Sequence, residues 1–237
     1  MGKIIFIKNS KGGVAKSTNS KNIATGLAKA NRKIALVSFD AQNDSLHLLG
    51  KRFKEGDNGI KALMLGKDTD VKIKVRKNLD YFPLENDKIN IRSKKKMEAV
   101  FQNFKNIYDI VIIDGAPADT DLSQMGTTIA DEILVPIELE TLSIGGISRM
   151  LKDPLNSKKI KYIIPNRYHS SSTEDEVKEK LDKFLENTKI YFSDPIKESA
   201  IERELKSKGK SIFETKSKKA ADTQKIYIEL IKEIIRG

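Results

Sequence analysis

Residues 4–18 read Ile-Ile-Phe-Ile-Lys-Asn-Ser-Lys-Gly-Gly-Val-Ala-Lys-Ser-Thr, and they are the most informative part of the chain about its fold. Its four leading apolar residues are rich in β-branched side chains and predict a buried strand. Downstream, Ile23, Leu27 and Ala28 recur with helical spacing, so a helix follows Thr18. A glycine-containing loop between a strand and a helix N-terminus leaves backbone N–H groups free to surround phosphate oxygens, and the helix dipole adds to their attraction. The stretch therefore predicts a phosphate-binding loop.

The same strand-then-helix order continues along the chain. A second helical segment, with Val177, Leu181, Phe184 and Leu185 on its apolar face, follows the polar residues 170–173. We interpret residues 50–77 as loop and short helix. Short apolar runs predict the strands: residues 4–7, 34–37, 79–84, 110–113, 133–137, 162–164 and 190–192. Alternating strands and helices predict an α/β fold, a doubly wound and mainly parallel sheet with helices on both faces and ligands at the carboxyl ends of the strands.

Composition narrows the class of protein. The 237 residues include 44 Lys and Arg against 33 Asp and Glu, a net charge of +11, which suits either a polyanionic partner or a simply soluble surface. The lack of cysteine excludes a disulfide framework, a thiolate zinc site and a cysteine-held iron–sulfur cluster. No signal peptide or membrane span is visible, so we expect a cytoplasmic protein. Without repeats or a long linker, residues 1–237 are expected to form a single domain.

The loop departs from the strict P-loop pattern because Ser10 and Ala15 occupy its two glycine positions. It resembles instead the deviant Walker A motif of the ParA/MinD family, Lys-Gly-Gly-x-Gly-Lys-Thr/Ser-Thr, with Ala15 as the departure. The resemblance implies a P-loop ATPase that binds ATP and Mg²⁺. The nucleotide-binding residues of the loop would be Lys11, Gly12, Gly13, Val14, Ala15, Lys16, Ser17 and Thr18.

Three of these residues have distinct expected roles. Lys16 would reach the β and γ phosphates, and the Ser17 hydroxyl would ligate magnesium. In the family, the lysine that corresponds to Lys11 crosses a dimer interface to the partner's nucleotide. This lysine supplies a cation in trans during phosphoryl transfer. If the backbone at Ala15 is left-handed, strain of about 1–2 kcal/mol is expected. Either the loop adjusts and the site works, or nucleotide binding or turnover is weakened.

Two aspartates follow predicted strands. Asp40 lies in Ser-Phe-Asp-Ala-Gln, similar to the family's Asp-x-Asp-Pro-Gln, with Ser38 and Ala41 as departures. By that resemblance Asp40 orients or activates the attacking water near the magnesium shell. Asp114 ends the apolar run 110–113 as in a Walker B element and would hold magnesium through the water shell of the ion, since magnesium loses water reluctantly. The metal site is therefore predicted at Ser17, Asp40 and Asp114, and the catalytic residues are Lys11, Lys16 and Asp40.

The resemblance extends to the base of the nucleotide. Asn166 follows a late strand at the position where the family often contacts adenine, and Pro195 matches a strand-end proline that could pack near the base. A plain turn proline is an equal alternative for Pro195.

A basic segment is the candidate DNA surface. Six lysines between residues 206 and 219 are opposed only by Glu214. Spread lysines neutralise phosphates with little sequence preference. The candidate DNA-binding residues are Arg203, Lys206, Lys208, Lys210, Lys216, Lys218 and Lys219, with Arg236 as an extension and residues 94–96 as a lesser cluster. A solvated charged face is the alternative.

The C-terminal segment presents one apolar face, formed by Ile226, Leu230, Ile231, Ile234 and Ile235. It is interpreted as a helix that closes the fold, with a MinD-like membrane-targeting helix as the alternative. Three residues precede the first predicted strand, so we expect no helix-turn-helix and no operator binding by this chain.

The resemblance implies an ATP-dependent DNA partition ATPase. Two subunits would sandwich two ATP molecules, the homodimer would bind nonspecific duplex DNA on the nucleoid, and a ParB-like centromere-binding protein would stimulate slow hydrolysis. Three alternatives stay open: a MinD-like ATPase at a membrane, a cargo-positioning ATPase on another scaffold, and a nucleotide-bound scaffold with impaired hydrolysis.

Overall fold

A computed structural model describes residues 1–53, 59–64, 72–85, 94–118 and 120–237 of the chain. One sheet runs through it in the order β3-β4-β2-β5-β1-β6-β7-β8. Every neighbouring pair is parallel except β3 and β4. The strands are β1 (Lys3–Ile7), β2 (Ile34–Ser38), β3 (Ile73–Arg76), β4 (Leu79–Phe82), β5 (Ile110–Asp114), β6 (Glu132–Glu138), β7 (Ile160–Asn166) and β8 (Tyr191–Phe192). The predicted mainly parallel α/β sheet is confirmed.

Helices cover both faces of the sheet. They are α1 (Lys16–Lys29), α2 (Asp44–Leu48), α3 (Ile60–Met64), α4 (Lys94–Ile107), α5 (Asp121–Ile129), α6 (Thr141–Lys152), α7 (Pro154–Ser157), α8 (Ser172–Leu185), α9 (Ala200–Ser207) and α10 (Ala221–Arg236). Short 3-10 turns at Ile212–Glu214 and Lys218–Ala220 connect α9 to α10.

The core lies on the two faces of the central strands. All five residues of β2 and of β5 are buried. Val111 and Ile113 pack into one hydrophobic cluster, whereas Ile110 and Ile112 pack into the other. This alternation explains why these strands appear as continuous apolar runs, since a parallel strand covered by helices on both sides has no polar face.

The register brings the ends of the central strands level. Ser38 at the end of β2 is the partner of Asp114 at the end of β5, and Asp114 is in turn the partner of Ile7. On the other side, Glu138 of β6 is the partner of Asn166 of β7. The loops that follow these strands therefore meet at one edge of the sheet.

Strand β3 was wrongly interpreted as part of a loop. It lies at the edge of the sheet and pairs antiparallel with β4 after a turn in which Asn78 has a φ of 62°. Its residues alternate Ile-Lys-Val-Arg, with only Val75 fully buried, so this edge strand lacks the continuous apolar run of the central strands. Residues 54–58 and 65–71 of the same stretch lie outside the described residues.

Two predicted helix faces need correction at one residue each. The buried stripe of α8 is Val177, Leu181 and Leu185, whereas Phe184 is 45% exposed. Residues four positions apart on a helix are separated by about 400° of rotation, which is about 40° more than a full turn. The buried stripe therefore winds slowly around the helix, and Phe184 lies at its border.

In α10, Leu230, Ile231 and Ile234 are buried against the sheet, as expected for a closing helix. Ile226 is partly buried against the same cluster, but Ile235, near the helix end, is 38% exposed. In the part of the chain that the structure describes, no helix is long and apolar enough to cross a lipid bilayer.

Candidate active site

A cleft of about 530 Å³ opens where the loops after the central strands meet. We call it the P-loop cleft. Its lining includes residues from the loop before α1, from the ends of β2 and β5, and from the loop after β7. On the far side it is bounded by α9 and α10. Of the predicted site residues, the cleft brings together Gly13, Ala15, Lys16, Ser17, Thr18, Asp40, Asn166, Arg203 and Lys206.

The loop before α1 contains two left-handed residues. Gly13 has a φ of 81°, and Ala15, the N-cap of α1, has φ 68° and ψ 28°. The condition stated for strain at Ala15, a left-handed backbone, is therefore met. Gly13 also lies under Arg167, because a Cβ at this position would be 3.4 Å from Arg167 Nη1. The loop thus holds at position 15 a conformation that a Cβ disfavours.

Lys16 is folded back over the loop. Its side chain is buried, and Nζ donates a hydrogen bond of 2.8 Å to the backbone carbonyl of Lys11. Burial lowers the pKa of Lys16, and the charges of Asp114 and Asp40 oppose this only in part. The ammonium therefore lies near both carboxylates with few partners of its own, which suits a cation that engages an anionic ligand.

Asp114 is the buried acid of the cleft region. It is 1% exposed, and burial raises its pKa to about 6 although the Ser45, Ser20 and Ser17 hydroxyls oppose the shift. Ser20 Oγ donates to Asp114 Oδ1 at 2.8 Å, whereas Oδ2 has no hydrogen-bond partner among the described residues. A buried carboxylate oxygen without a partner, close to the Ser17 hydroxyl, fits a hydrated Mg²⁺, which prefers oxygen ligands. Ser20 and Ser45 belong to none of the motifs and were not predicted, although Ser20 lies one helical turn after Lys16.

Asp40 sits in a tight turn after β2. The Ser38 hydroxyl donates to the Asp40 carbonyl at 2.7 Å and accepts from the Asp40 N–H at 3.1 Å. The Asp40 carboxylate accepts from the Gln42 N–H at 3.0 Å. Ser38, one of the two residues that depart from the family pattern, therefore shapes the turn that directs Asp40 towards the cleft.

Lys11 points away from the P-loop cleft. Its Nζ donates to Glu138 Oε2 at 2.7 Å and to both carboxylate oxygens of Glu140 at 2.9 Å, and these contacts raise its pKa. Glu138 also binds Arg167 Nη1 at 3.1 Å. Burial raises the pKa of Glu138, but Lys11 and Arg167 more than offset it and the net pKa is lowered. Two carboxylates that the motifs did not reveal, Glu138 and Glu140, thus hold Lys11 on its own chain.

Asn166 lies deep in the cleft within a hydrogen-bond relay. Its Nδ2 donates to the Ile164 carbonyl at 2.9 Å, and its Oδ1 accepts from Asn19 Nδ2 at 3.2 Å. Tyr227 of α10 donates its hydroxyl to Asn19 Oδ1 at 2.9 Å. All three side chains of the relay are buried. The relay fixes the orientation of the Asn166 amide from two other elements of the fold.

Several predicted nucleotide-binding residues do not line this cleft. Pro195 is half-buried, and residues 196–199 line the cleft in its place. Lys11 borders a neighbouring groove instead. Gly12 and Val14 are also absent from the lining, since Val14 is buried beneath the loop and Gly12 is exposed outside it.

The basic segment begins at the cleft and runs away from it. Arg203 and Lys206 of α9 line the cleft, whereas Lys208, Lys210, Lys216, Lys218 and Lys219 are exposed beyond it. Lys208 pairs with Glu204 at 2.5 Å. No carboxylate of the described residues lies within ion-pair distance of the rest: Arg203, Lys206, Lys210, Lys216, Lys218 and Lys219.

Comparisons with known proteins agree with this geometry. A family model described as an AAA domain matches residues 2–164, which is more than half of the chain. The sporulation initiation inhibitor protein Soj of Bacillus subtilis is 28% identical, with 99% of this chain and 98% of Soj covered.

Two solved structures share the fold. The ATP complex of a Cyanothece McdA variant superposes with a TM-score of 0.79 at 18% identity, covering 99% of this chain and 96% of that one. A Borrelia burgdorferi protein described as a putative plasmid partition protein, bound to AMPPNP, superposes with a TM-score of 0.76 at 20% identity, covering 98% and 100%. With the cleft and the family match together, the chain is a member of the ParA/MinD family of P-loop ATPases, and its cofactors are ATP and Mg²⁺.

Proposed function

We propose that this protein is a DNA partition ATPase whose ATP-bound homodimer binds duplex DNA without sequence preference. The observation that carries the proposal is the course of the basic segment. It begins at Arg203 and Lys206 in the wall of the P-loop cleft and continues past Lys208, which pairs with Glu204, as exposed lysines 210, 216, 218 and 219, which have no ion-pair partner among the described residues. One helix, α9, therefore connects the nucleotide to a surface suited to phosphate.

Different residues of the cleft have different roles in ATP hydrolysis. Lys16 leaves the Lys11 carbonyl and contacts the β and γ phosphates, while Ser17 and Asp114 hold the metal. Magnesium, when bound, neutralises charge on the phosphates. Asp40, fixed in its turn by Ser38, accepts a hydrogen bond from the attacking water and orients it.

Lys11 provides the switch between monomer and dimer. Its ammonium is bound by Glu138 and Glu140 of its own chain at 2.7–2.9 Å. To reach a partner's nucleotide it must leave both carboxylates, so the triphosphate of the partner has to compete with two anions. ADP lacks the γ phosphate and competes less well, which gives the two nucleotide states different dimer affinities.

The lysines of the basic segment differ from lysines elsewhere on the surface. On α8, Lys178, Lys180 and Lys183 are each paired with an acid one turn away at 2.5–2.8 Å. A lysine neutralised in this way contributes less to a positive surface potential than an unpaired one. The unpaired lysines of the basic segment therefore favour a polyanion over a merely solvated face.

The remaining parts of the proposal follow from family membership. We propose that a ParB-like centromere-binding protein stimulates slow hydrolysis, that the protein is nucleoid-associated, and that residues 1–237 act as one ATPase domain. A nucleotide-bound scaffold with impaired hydrolysis is the second candidate, because Ala15 adopts a left-handed conformation in the phosphate-binding loop.

The test is DNA binding in different nucleotide states. Retention of unrelated duplex DNA is measured at one moderate salt concentration with ATP and Mg²⁺, with ADP and Mg²⁺, and without nucleotide. We expect strong binding only with ATP. The triple variant Lys216→Gln, Lys218→Gln, Lys219→Gln should lose this binding and flatten its salt dependence.

The matched control is Lys178→Gln, Lys180→Gln, Lys183→Gln, which removes the same charge from α8. It should bind DNA like the wild type. Equal loss in both variants would show that only net charge matters, and equal binding in all nucleotide states would refute the proposal. ATP binding without phosphate release would favour the scaffold.

A further inference from the structure

Arg76 joins three segments of the chain that lie far apart in the sequence. Its guanidinium donates to the Leu49 carbonyl at 3.2 Å and to the Gly209 carbonyl at 2.9 Å. The same group binds both carboxylate oxygens of Glu214, at 2.6 and 3.2 Å. The loop after α2, the loop after α9 and the 3-10 turn at Ile212–Glu214 therefore meet at one side chain.

Two glycines bring the first two of these segments into backbone contact. Gly50 has a φ of 74° and Gly209 a φ of 62°, conformations that glycine adopts without strain. A Cβ on Gly50 would lie 3.2 Å from Gly209 Cα, which is closer than side chains normally pack. Because consecutive Cα atoms are about 3.8 Å apart, the Cα atoms of Lys51 and Lys210 lie within about 12 Å of each other.

This contact places two further cations beside the basic segment. Lys51 and Arg52 follow Gly50 directly, and both are exposed, as are Lys210 and Lys216. In the part of the chain that the structure describes, none of these four cations has a carboxylate within ion-pair distance. We call Lys51, Arg52, Lys210 and Lys216 the composite basic surface.

Arg76 also occupies the acid that would otherwise compete for these lysines. Between residues 206 and 219, Glu214 is the one carboxylate set against six lysines. A carboxylate whose two oxygens are already bound by a guanidinium is a weaker partner for a second cation. Lys210 and Lys216 therefore remain available to an external anion.

We propose that duplex DNA binds to the composite basic surface, with Lys51 and Arg52 contacting phosphates together with Lys210 and Lys216. Duplex DNA carries one charge for about every 1.7 Å of its axis, so cations spread over about 12 Å meet several phosphates at once. The inference rests on the proposed function and goes beyond it by adding the segment that follows α2. Both segments continue from helices that line the P-loop cleft, so DNA is contacted from two of its walls.

The salt dependence of DNA binding measures the number of phosphate contacts. Fluorescence anisotropy follows binding of unrelated duplex DNA to the wild type and to the double variant Lys51→Gln, Arg52→Gln, with ATP and Mg²⁺, over a series of NaCl concentrations. Each lost contact lowers the slope of log K against log salt by about 0.9 in magnitude. The double variant should therefore have a slope smaller by about 1.8 and bind DNA more weakly at low salt.

The matched control is Lys158→Gln, Lys189→Gln. Both lysines are exposed and, like Lys51 and Arg52, lack an ion-pair partner among the residues described. They precede β7 and β8, at the opposite edge of the sheet from the P-loop cleft. The control loses the same charge and should keep the wild-type slope, and calorimetric ATP affinity verifies that both variants remain folded.

Each outcome decides the inference. A wild-type slope in the double variant would overturn it, and so would an equal reduction in the control, which would show that only net charge matters. Loss of binding to vesicles of equal parts phosphatidylcholine and phosphatidylserine, with DNA binding unchanged, would assign the surface to a membrane instead.

The proposed function can fail separately. If the wild type binds no DNA in any nucleotide state, the proposed function fails first and the inference falls with it. If the wild type binds DNA and only the variant Lys216→Gln, Lys218→Gln, Lys219→Gln reduces the slope, the proposed function stands and the inference is overturned.

Discussion

Substitution of Ala15 by glycine tests the strain in the phosphate-binding loop. Ala15 is held at φ 68° and ψ 28°. A left-handed conformation costs an L-residue about 1–2 kcal/mol, which glycine does not incur. Glycine also makes the unfolded chain more flexible, which destabilises the fold by about 0.4–1 kcal/mol. The net expectation for Ala15→Gly is a free energy of unfolding higher by about 0–1.5 kcal/mol.

Ala30 provides the matched control. It caps the other end of α1 at φ −78° and ψ 19°, a conformation in which alanine is not strained. Ala30→Gly should therefore only lose stability, by about 0.4–1 kcal/mol. The difference between the two variants isolates the strain at position 15 and should be about 1–2 kcal/mol.

Urea denaturation followed by circular dichroism, without nucleotide, measures both values. For a chain of this size each kcal/mol corresponds to about 2–4 °C in melting temperature. If Ala15→Gly destabilises the protein as much as Ala30→Gly, the loop is not strained and the reasoning is refuted. The same variant tests whether Ala15 weakens nucleotide binding or hydrolysis. A rise in ATP affinity or turnover in Ala15→Gly would show that it does.

Three further expectations concern buried contacts. Lys21 of α1 is 0% exposed, and its Nζ donates to Glu202 Oε1 of α9 at 2.8 Å. Lys21→Met leaves the Glu202 carboxylate buried without its cation and should lower the free energy of unfolding by about 3–5 kcal/mol. The double variant Lys21→Met, Glu202→Leu should recover most of this loss in the same urea assay. No recovery would contradict the ion-pair explanation. Glu214 binds Arg76 at 2.6 Å and the Ser211 N–H at 2.8 Å, and although its burial raises the pKa, these contacts leave the net pKa lowered from 4.5. The stabilisation by ionised Glu214 is therefore present above the pKa of the unfolded chain and is lost as the pH falls through the pKa of the folded protein. Glu214→Gln should make the free energy of unfolding less dependent on pH in the acid range. An unchanged pH dependence would refute this expectation. Tyr227→Phe leaves Asn19 Oδ1 without its donor and should lower the free energy of unfolding by about 1–3 kcal/mol. It should also weaken ATP binding, because Asn19 orients the Asn166 amide. An unchanged affinity for ATP in calorimetry would show that the relay does not position the Asn166 amide.

Features that depend on a short stretch of sequence were predictable. The strand, loop and helix at residues 4–18 follow from local pattern, and so does Asp114 at the end of an apolar strand. A left-handed backbone at Ala15 was considered as a possible source of strain, because the family has glycine at this position. Motif residues could be placed because their neighbours in the sequence are also their neighbours in the site.

Contacts between distant residues were not predictable in this way. Lys21 and Glu202 are 181 positions apart, and Lys11 and Glu138 are 127 apart. Nothing in helical spacing distinguishes Lys21 from a surface lysine, since its partners, Glu202 and the Lys210 carbonyl, come from a distant part of the sequence. Strand β3 was missed for a related reason, because an edge strand with one buried valine lacks the apolar run of a central strand.

The proposed function requires that ATP release Lys11 from Glu138 and Glu140 and join two chains. Sedimentation velocity of the wild type and of Lys11→Ala, each with ATP and Mg²⁺ or with ADP and Mg²⁺, measures whether the chains join. We predict the mass of a dimer for the wild type with ATP, and the mass of a monomer with ADP and for Lys11→Ala in both nucleotides. A wild type that has the same mass in both nucleotides, or a Lys11→Ala variant that dimerises as tightly with ATP, would contradict the account.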